Sequence, residues 1–157
     1  MNIVKKIGFG LLLLLVGFGF YKLAKLYSPG SYPNAEIYGI RASEGKIINS
    51  INKFKDENPK FVPPISFNLQ DGRFNANDHW YDVYFYYPES KEIVHVWTRP
   101  DGSGSTTIGF VGVNQGDRLG NWKDINRDFS SSENSIQKDR FENLILSPIR
   151  YIVEAKQ

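Results

Sequence analysis

The sequence predicts an α+β fold in which an N-terminal membrane helix precedes one small domain, a four-stranded antiparallel meander packed with two helices. Three observations support this prediction: an apolar run over residues 7–20, helical hydrophobic periodicity near both ends of the remaining chain, and consecutive β-rich segments between the two helices. Short connections join those segments, and strands joined in this way pair antiparallel because parallel neighbours need long crossovers. Helices packed on one antiparallel sheet make an α+β domain, with the order helix-β-β-β-β-helix.

The apolar run is expected to act as a membrane anchor. Lys5 and Lys6 precede it, and Lys22 and Lys25 follow it. A spanning helix needs about 20 apolar residues, so this run is short, but lysine stems that reach the interface can lengthen the span. The lysines after the run also disfavour cleavage, because a signal peptide ends at small residues. Cleavage followed by secretion and burial as a core helix remain alternatives. The predicted anchor residues are Ile7, Leu11, Leu12, Leu13, Leu14, Leu15, Val16, Phe18 and Phe20.

Length and charge indicate one small domain after that segment. We predict an anchor or signal segment over residues 1–27, a linker over 28–35 and a soluble α+β domain over 36–157, exported to the periplasm or bacterial cell envelope. That length suffices for one domain and is too short for two. Without the four N-terminal lysines, 15 basic residues face 17 acidic ones. The domain therefore lacks the basic footprint of a nucleic-acid-binding protein. The chain has no cysteine, which excludes disulfides and thiol chemistry.

The first helix is predicted over residues 43–58. Ser43 is a favourable N-cap, and Pro59 ends the helix because proline cannot continue it. Apolar residues recur at helical spacing on one face. They are Ile47, Ile48, Ile51 and Phe54.

Four strands are predicted next. Residues 65–70 alternate between apolar and polar side chains and stop at an Asp-Gly turn. Residues 80–87 and 92–98 are β-rich and joined by a short turn, which indicates a hairpin. The fourth strand covers residues 106–113, and residues 114–129 are expected to be irregular.

The second helix is predicted over residues 132–146, and Ser147 and Pro148 are expected to break it. Residues 149–153 then form either a last helical turn or an edge strand. The side chains expected to face the core are Ile136, Phe141, Leu144 and Ile145.

The hairpin gives the most specific prediction. A turn centred on Glu89 and Ser90 places Val83 opposite Val96 and Tyr84 opposite His95, and one register fixes both faces of the hairpin. The apolar face should meet the helix. The opposite face is rich in aromatic and charged groups of the kinds that dominate binding hot spots. Alternatively, residues 114–129 cover this face and make it a second, minor core. The predicted binding residues are Asp82, Tyr84, Tyr86, His95, Trp97 and Arg99.

Two histidines are candidates for acid–base chemistry. His79 follows Asp78, and His95 lies near Asp82 on the hairpin, so either imidazole is placed near a carboxylate as a general base requires. No nucleophile elbow, zinc-binding motif or histidine pair at ligand spacing accompanies them. A small envelope hydrolase is therefore an alternative function, and the primary prediction assigns no catalytic residue, metal or cofactor.

The predicted function is that of a non-enzymatic, membrane-anchored extracytoplasmic domain that binds another protein or an envelope ligand. An immunity or inhibitor protein is one form of it. An assembly subunit of a membrane complex is a further alternative. The expected partners are the membrane and another protein, with no nucleic acid.

Overall fold

A computed structural model describes residue 17, residues 32–116 and residues 118–155. Apart from Gly17, the predicted anchor over residues 7–20 lies outside the described residues. Among those described, no helix has both the length and the apolar character to cross a membrane. The chain divides at Pro33, and the unit that follows, Asn34–Gln157, contains the sheet.

The α+β class with an antiparallel sheet and packed helices is confirmed. The elements described follow one another as β1 (Glu36–Ile40), α1 (Glu44–Glu57), β2 (Tyr81–Tyr87), β3 (Glu92–Pro100), β4 (Thr106–Gln115), β5 (Trp122–Asp124), α2 (Ser131–Phe141) and α3 (Ser147–Glu154). Short 3₁₀ turns occupy Pro59–Phe61 and Ile65–Phe67, and a π turn over Glu142–Leu146 connects α2 to α3.

The sheet is wider than the predicted meander. Its strand order is β1-β4-β3-β2, and β5 also pairs with β4. Because β3 occupies one edge of β4, β1 and β5 share the other edge: β1 pairs with residues 106–110 and β5 with residues 112–114. Val111 is an extra residue between these halves, since His95 pairs with Gly112 and Val96 with Phe110. Neither β1 nor β5 is predicted from the sequence.

The strand predicted over residues 65–70 is wrong. Ile65 begins a 3₁₀ turn, and its side chain is 97% exposed. Asn68 has a φ of 51°, in the left-handed region, which interrupts an extended backbone. The alternating pattern was therefore not sufficient: among the described residues of this segment, the β-pairing with β2 is a single bridge, between Gly72 and Asp82.

The helices pack on one face of the sheet. Phe54 of α1 meets Phe85 of β2 edge to face, with ring centroids 6.0 Å apart. Phe141 stacks on Phe110 of β4 at 4.7 Å. The predicted first helix is confirmed, with Ser43 and Asn58 at its cap positions, although the Ser43 side chain makes no capping hydrogen bond. Of its predicted inward residues, Ile47, Ile51 and Phe54 are buried and Ile48 is half-buried.

The predicted break at Ser147 and Pro148 is wrong. The chain stays helical through the π turn, in which the Ser147 N–H donates to the Glu142 carbonyl five residues earlier. Pro148 lies in the first turn of α3, where a missing N–H is tolerated. Residues 149–153 are thus helical, the first of the two alternatives.

The inward face of this helical stretch is confirmed in part. Phe141 and Ile145 are buried, whereas Ile136 is 62% exposed and Leu144 is also exposed. Those two predictions are wrong. Ile136 lies five residues before Phe141, about 140° away around an α-helix, so the two side chains do not share one face. Leu144 lies within the π turn, whose wider turn moves it away from the buried face.

Candidate functional site

The hairpin register is confirmed residue by residue. Val83 pairs with Val96, and Tyr84 pairs with His95. Val83 and Val96 are buried under the helices. The second face of the hairpin therefore lies on the side of the sheet away from the helices, as the alternation of strand side chains requires.

That second face is only partly open to solvent. Ile93 is fully buried and Trp97 is 5% exposed, while Arg99 is exposed with its guanidinium 6.0 Å from the Trp97 ring. A Cβ at Gly109 would overlap the Trp97 indole, so Trp97 lies directly on this glycine of β4. Trp97 thus packs on the sheet and exposes little surface to a partner, unlike a residue of the predicted binding surface.

The segment after β4 supplies part of the cover. Trp122 of β5 meets the His95 ring edge to face at 5.9 Å. Asn114, which is fully buried, holds the loop between β4 and β5. Its Oδ1 accepts hydrogen bonds from the N–H groups of Gly120 (3.1 Å) and Asn121 (2.9 Å). Its Nδ2 donates to the carbonyl of Arg118 at 2.9 Å. The alternative in which residues 114–129 cover this face is therefore correct for the part near His95.

His95 is held between neighbours on three strands. Its ring stacks on Tyr84 with centroids 5.0 Å apart and an interplanar angle of 16°. Its Nε2 lies 2.8 Å from Oδ1 of Asp82. The Asp82 side chain remains 24% exposed. Burial raises the pKa of Tyr84, and the Asp82 and Asp71 carboxylates raise it further. The Tyr84 phenol therefore lies in a region of negative potential.

Residues 70–74 run beside β2 and are fixed at three points. Gly72 and Asp82 exchange two backbone hydrogen bonds of 2.9 and 2.8 Å. Oδ1 of Asp71 accepts a hydrogen bond from the Tyr84 N–H at 3.0 Å. Nη2 of Arg73 lies 2.5 Å from Oε2 of Glu44 at the start of α1. These contacts cover the β2 edge at Asp82 and Tyr84, which would otherwise be open to strand pairing there.

A second ion pair connects the same segment to α1. Nζ of Lys55, on α1, contacts Oδ2 of Asp71. Burial lowers the pKa of Lys55, and the Asp71 carboxylate opposes that shift. Asp71 therefore bonds to β2 through one oxygen and to α1 through the other.

A cleft of about 310 Å³ opens between this segment and β2. Phe74 stands at its side with a side chain that is 91% exposed. The residues that line the cleft are Gln70, Asp71, Gly72, Arg73, Phe74, Asp82 and Tyr84.

The predicted site residues do not all meet in this cleft. Asp82 and Tyr84 line it, and His95 lies directly behind them. Tyr86 lies farther along β2 against Phe67, with centroids 6.4 Å apart. Trp97 and Arg99 are on β3 and outside the cleft lining.

Asp78 and His79 contact different neighbours. Oδ2 of Asp78 accepts a hydrogen bond from the Asn75 N–H at 2.7 Å, and the His79 ring instead meets Trp80 at 5.9 Å. Within the described part of the chain, no group of three His, Asp or Glu side chains is placed to hold a metal ion.

Sequence reasoning missed Asp71, Arg73 and Phe74 as site residues. The Asp71–Gly72 pair indicated a turn, but nothing local indicated that the turn would lie beside β2. In the sequence, the one available sign of a binding residue was a phenylalanine, Phe74, within a polar stretch.

Comparison with known proteins gives no family for the chain. No family model matches it, and no curated protein or solved structure is significantly similar. The site is therefore interpreted from its own geometry.

Proposed function

We propose that the domain is a non-enzymatic binding module of a membrane-anchored envelope protein, and that it binds a protein partner at the surface formed by the cleft and Phe74. An inhibitor of an envelope toxin and an assembly subunit of a membrane complex are both forms of this function. The partner surface includes Asp82 and Tyr84 from the predicted set.

The exposure of Phe74 on a fixed segment is the observation that supports this proposal best. Phe74 presents a large apolar ring, 91% exposed, at the side of the cleft, and such a ring contributes binding energy when a partner covers it. The neighbouring Arg73 and Asp71 are tied to α1, so the backbone at Phe74 loses little freedom on binding. Rigid aromatic anchors of this kind dominate the energy of protein interfaces.

A second candidate is a small hydrolase with His95 as general base. The 2.8 Å contact between His95 and Asp82 beside a cleft favours it, since a carboxylate can orient an imidazole for proton transfer. His95→Gln separates the two functions. A folded His95→Gln variant should keep partner binding and biological activity if the domain is a binder, whereas a hydrolase should lose activity by about 10²-fold or more.

Site-specific photo-crosslinking in native membranes tests the proposed surface. Benzoylphenylalanine replaces Phe74 in the full-length chain, and the control carries it at Ile136, which is also exposed and lies on α2. We expect a discrete adduct with one partner from position 74 and none from position 136. Absence of an adduct at 74, or equal adducts at both positions, would contradict the proposal.

A further inference from the structure

The charges around the cleft are not evenly balanced. Asp71 has Lys55 as its oppositely charged partner, and Arg73 has Glu44. Among the described residues, the ion-pair partner of Asp82 is His95, which is charged only when it is protonated. The cleft therefore carries an excess negative charge at Asp82 whenever His95 is neutral.

The geometry at Asp82 leaves room for a further donor. His95 contacts Oδ1, and Oδ2 accepts no hydrogen bond from any described residue. The side chain is 24% exposed toward the solvent. A carboxylate oxygen placed in this way accepts charge-assisted hydrogen bonds from a cation, which are stronger than neutral ones.

Aromatic rings flank the same cleft. Phe74 and Tyr84 both line it, and cations are attracted to the faces of such rings. Burial is the main cause of the raised pKa of Tyr84, and the Asp82 and Asp71 carboxylates near its phenol raise that pKa further. The volume of about 310 Å³ lies at the lower end of ligand sites, which span about 300–1,000 Å³, so it suits one side chain better than a cofactor.

We infer that the cleft binds a basic side chain, arginine or lysine, of the protein partner, with the cationic head at Asp82 and the aliphatic stem along Phe74. This inference rests on the proposed function. A basic side chain has the combination that the cleft complements, an apolar stem and a charged end. An acidic or phosphorylated segment would meet Asp82 and Asp71 and be repelled.

The test uses the full-length, ¹⁵N-labelled chain in detergent micelles, titrated with N-acetylarginine amide and, as a second basic probe, N-acetyllysine amide. N-acetylcitrulline amide is the matched control, since it keeps the shape of arginine without its charge. We expect saturable shifts of the Gly72 and Tyr84 amide signals at millimolar concentrations of the basic probes. Citrulline should bind at least about tenfold more weakly, the effect of losing one charge-assisted hydrogen bond.

Two variants and one control locate the binding. Asp82→Asn should weaken binding of the arginine probe about tenfold, whereas Asp139→Asn, which removes the same charge from an exposed position on α2, should leave it unchanged. Phe74→Ala gives a second measurement if Asp82→Asn disturbs the hairpin, because the Phe74 side chain is exposed. It should weaken binding about threefold, the loss expected for an exposed cation–π contact.

The outcomes separate this inference from the proposed function. Equal binding of arginine and citrulline probes, or binding unchanged by both Asp82→Asn and Phe74→Ala, would overturn the basic-side-chain inference. If the crosslink at position 74 still formed, the protein-binding function would stand. If the arginine probe bound but no crosslink formed at position 74, the proposed protein-binding function would be contradicted, and the cleft would still be a site for cations.

Discussion

At the scale of single residues, a glycine decides where the largest aromatic ring of the second sheet face can lie. Trp97 packs on Gly109 because β4 has no side chain there to hold the indole away. Trp97 consequently contributes packing to the sheet, and the exposed aromatic group at the cleft is Phe74. The close approach depends on the hydrogen atom that glycine carries in place of a Cβ.

Gly109→Ala should therefore destabilise the domain. The new Cβ would overlap the Trp97 ring, and overpacking of this kind costs about 1–3 kcal/mol. Gly39→Ala on the neighbouring strand is the matched control, because a Cβ there meets no atom within 4 Å. Urea denaturation of both variants measures the free energy of unfolding. Equal stability of the two variants would show that Trp97 does not lie against Gly109.

At the scale of elements, the π turn decides which side chains of the C-terminal helices reach the core. Ser130 begins α2 with a capping box, in which its hydroxyl and the Glu133 side chain bond to each other's backbone N–H groups. Most of α2 then lies outside the core, and only Phe141 is buried. After the π turn, Ile149, Ile152 and Val153 of α3 are buried. A continuous helical stretch, α2 and α3 joined by the π turn, thus replaces the single predicted helix.

Two isoleucine truncations on this stretch test that arrangement. Ile145→Ala removes a fully buried side chain and should cost about 2–5 kcal/mol. Ile136→Ala removes an exposed one and should change the free energy of unfolding by no more than about 0.5 kcal/mol. Thermal or urea unfolding compares the two variants. A larger loss from Ile136→Ala would favour the inward face predicted from the sequence and would contradict the exposed position of Ile136 on α2.

At the scale of the whole molecule, the N-terminal apolar run and the domain have separate tasks in the proposed function. The run would hold the chain in the membrane, and the domain would present the cleft. The full-length protein should stay in the membrane pellet after an alkaline carbonate wash, because its apolar run and interfacial lysines favour lipid. A chain that begins at Ser31 should appear in the supernatant. A mature N-terminus near Ser31 in native cells would contradict the anchor and leave a secreted domain.

The sequence by itself determined the elements whose cause is local. The spacing of Ile47, Ile51 and Phe54 determines α1 and Pro59 limits it, since helical period and a proline act within a few residues. Alternation and a short turn determine the register of β2 and β3, because a shift by one residue would place Val83 on the wrong face. That register also predicted the nearness of Asp82, Tyr84 and His95.

Tertiary structure alone decided the rest. The segment around Ile65 alternates like a strand, but it forms a 3₁₀ turn, and the outer edge of β2, where a meander would place it, pairs instead with Gly72 in a single β-bridge. The cleft depends on ion pairs from α1 to the segment before β2, Lys55 with Asp71 and Glu44 with Arg73. Partners so far apart in the chain leave no periodic trace in the sequence. The candidate site is therefore half predictable: the strand supplies Asp82 and Tyr84 by local rules, and packing brings Phe74 beside them.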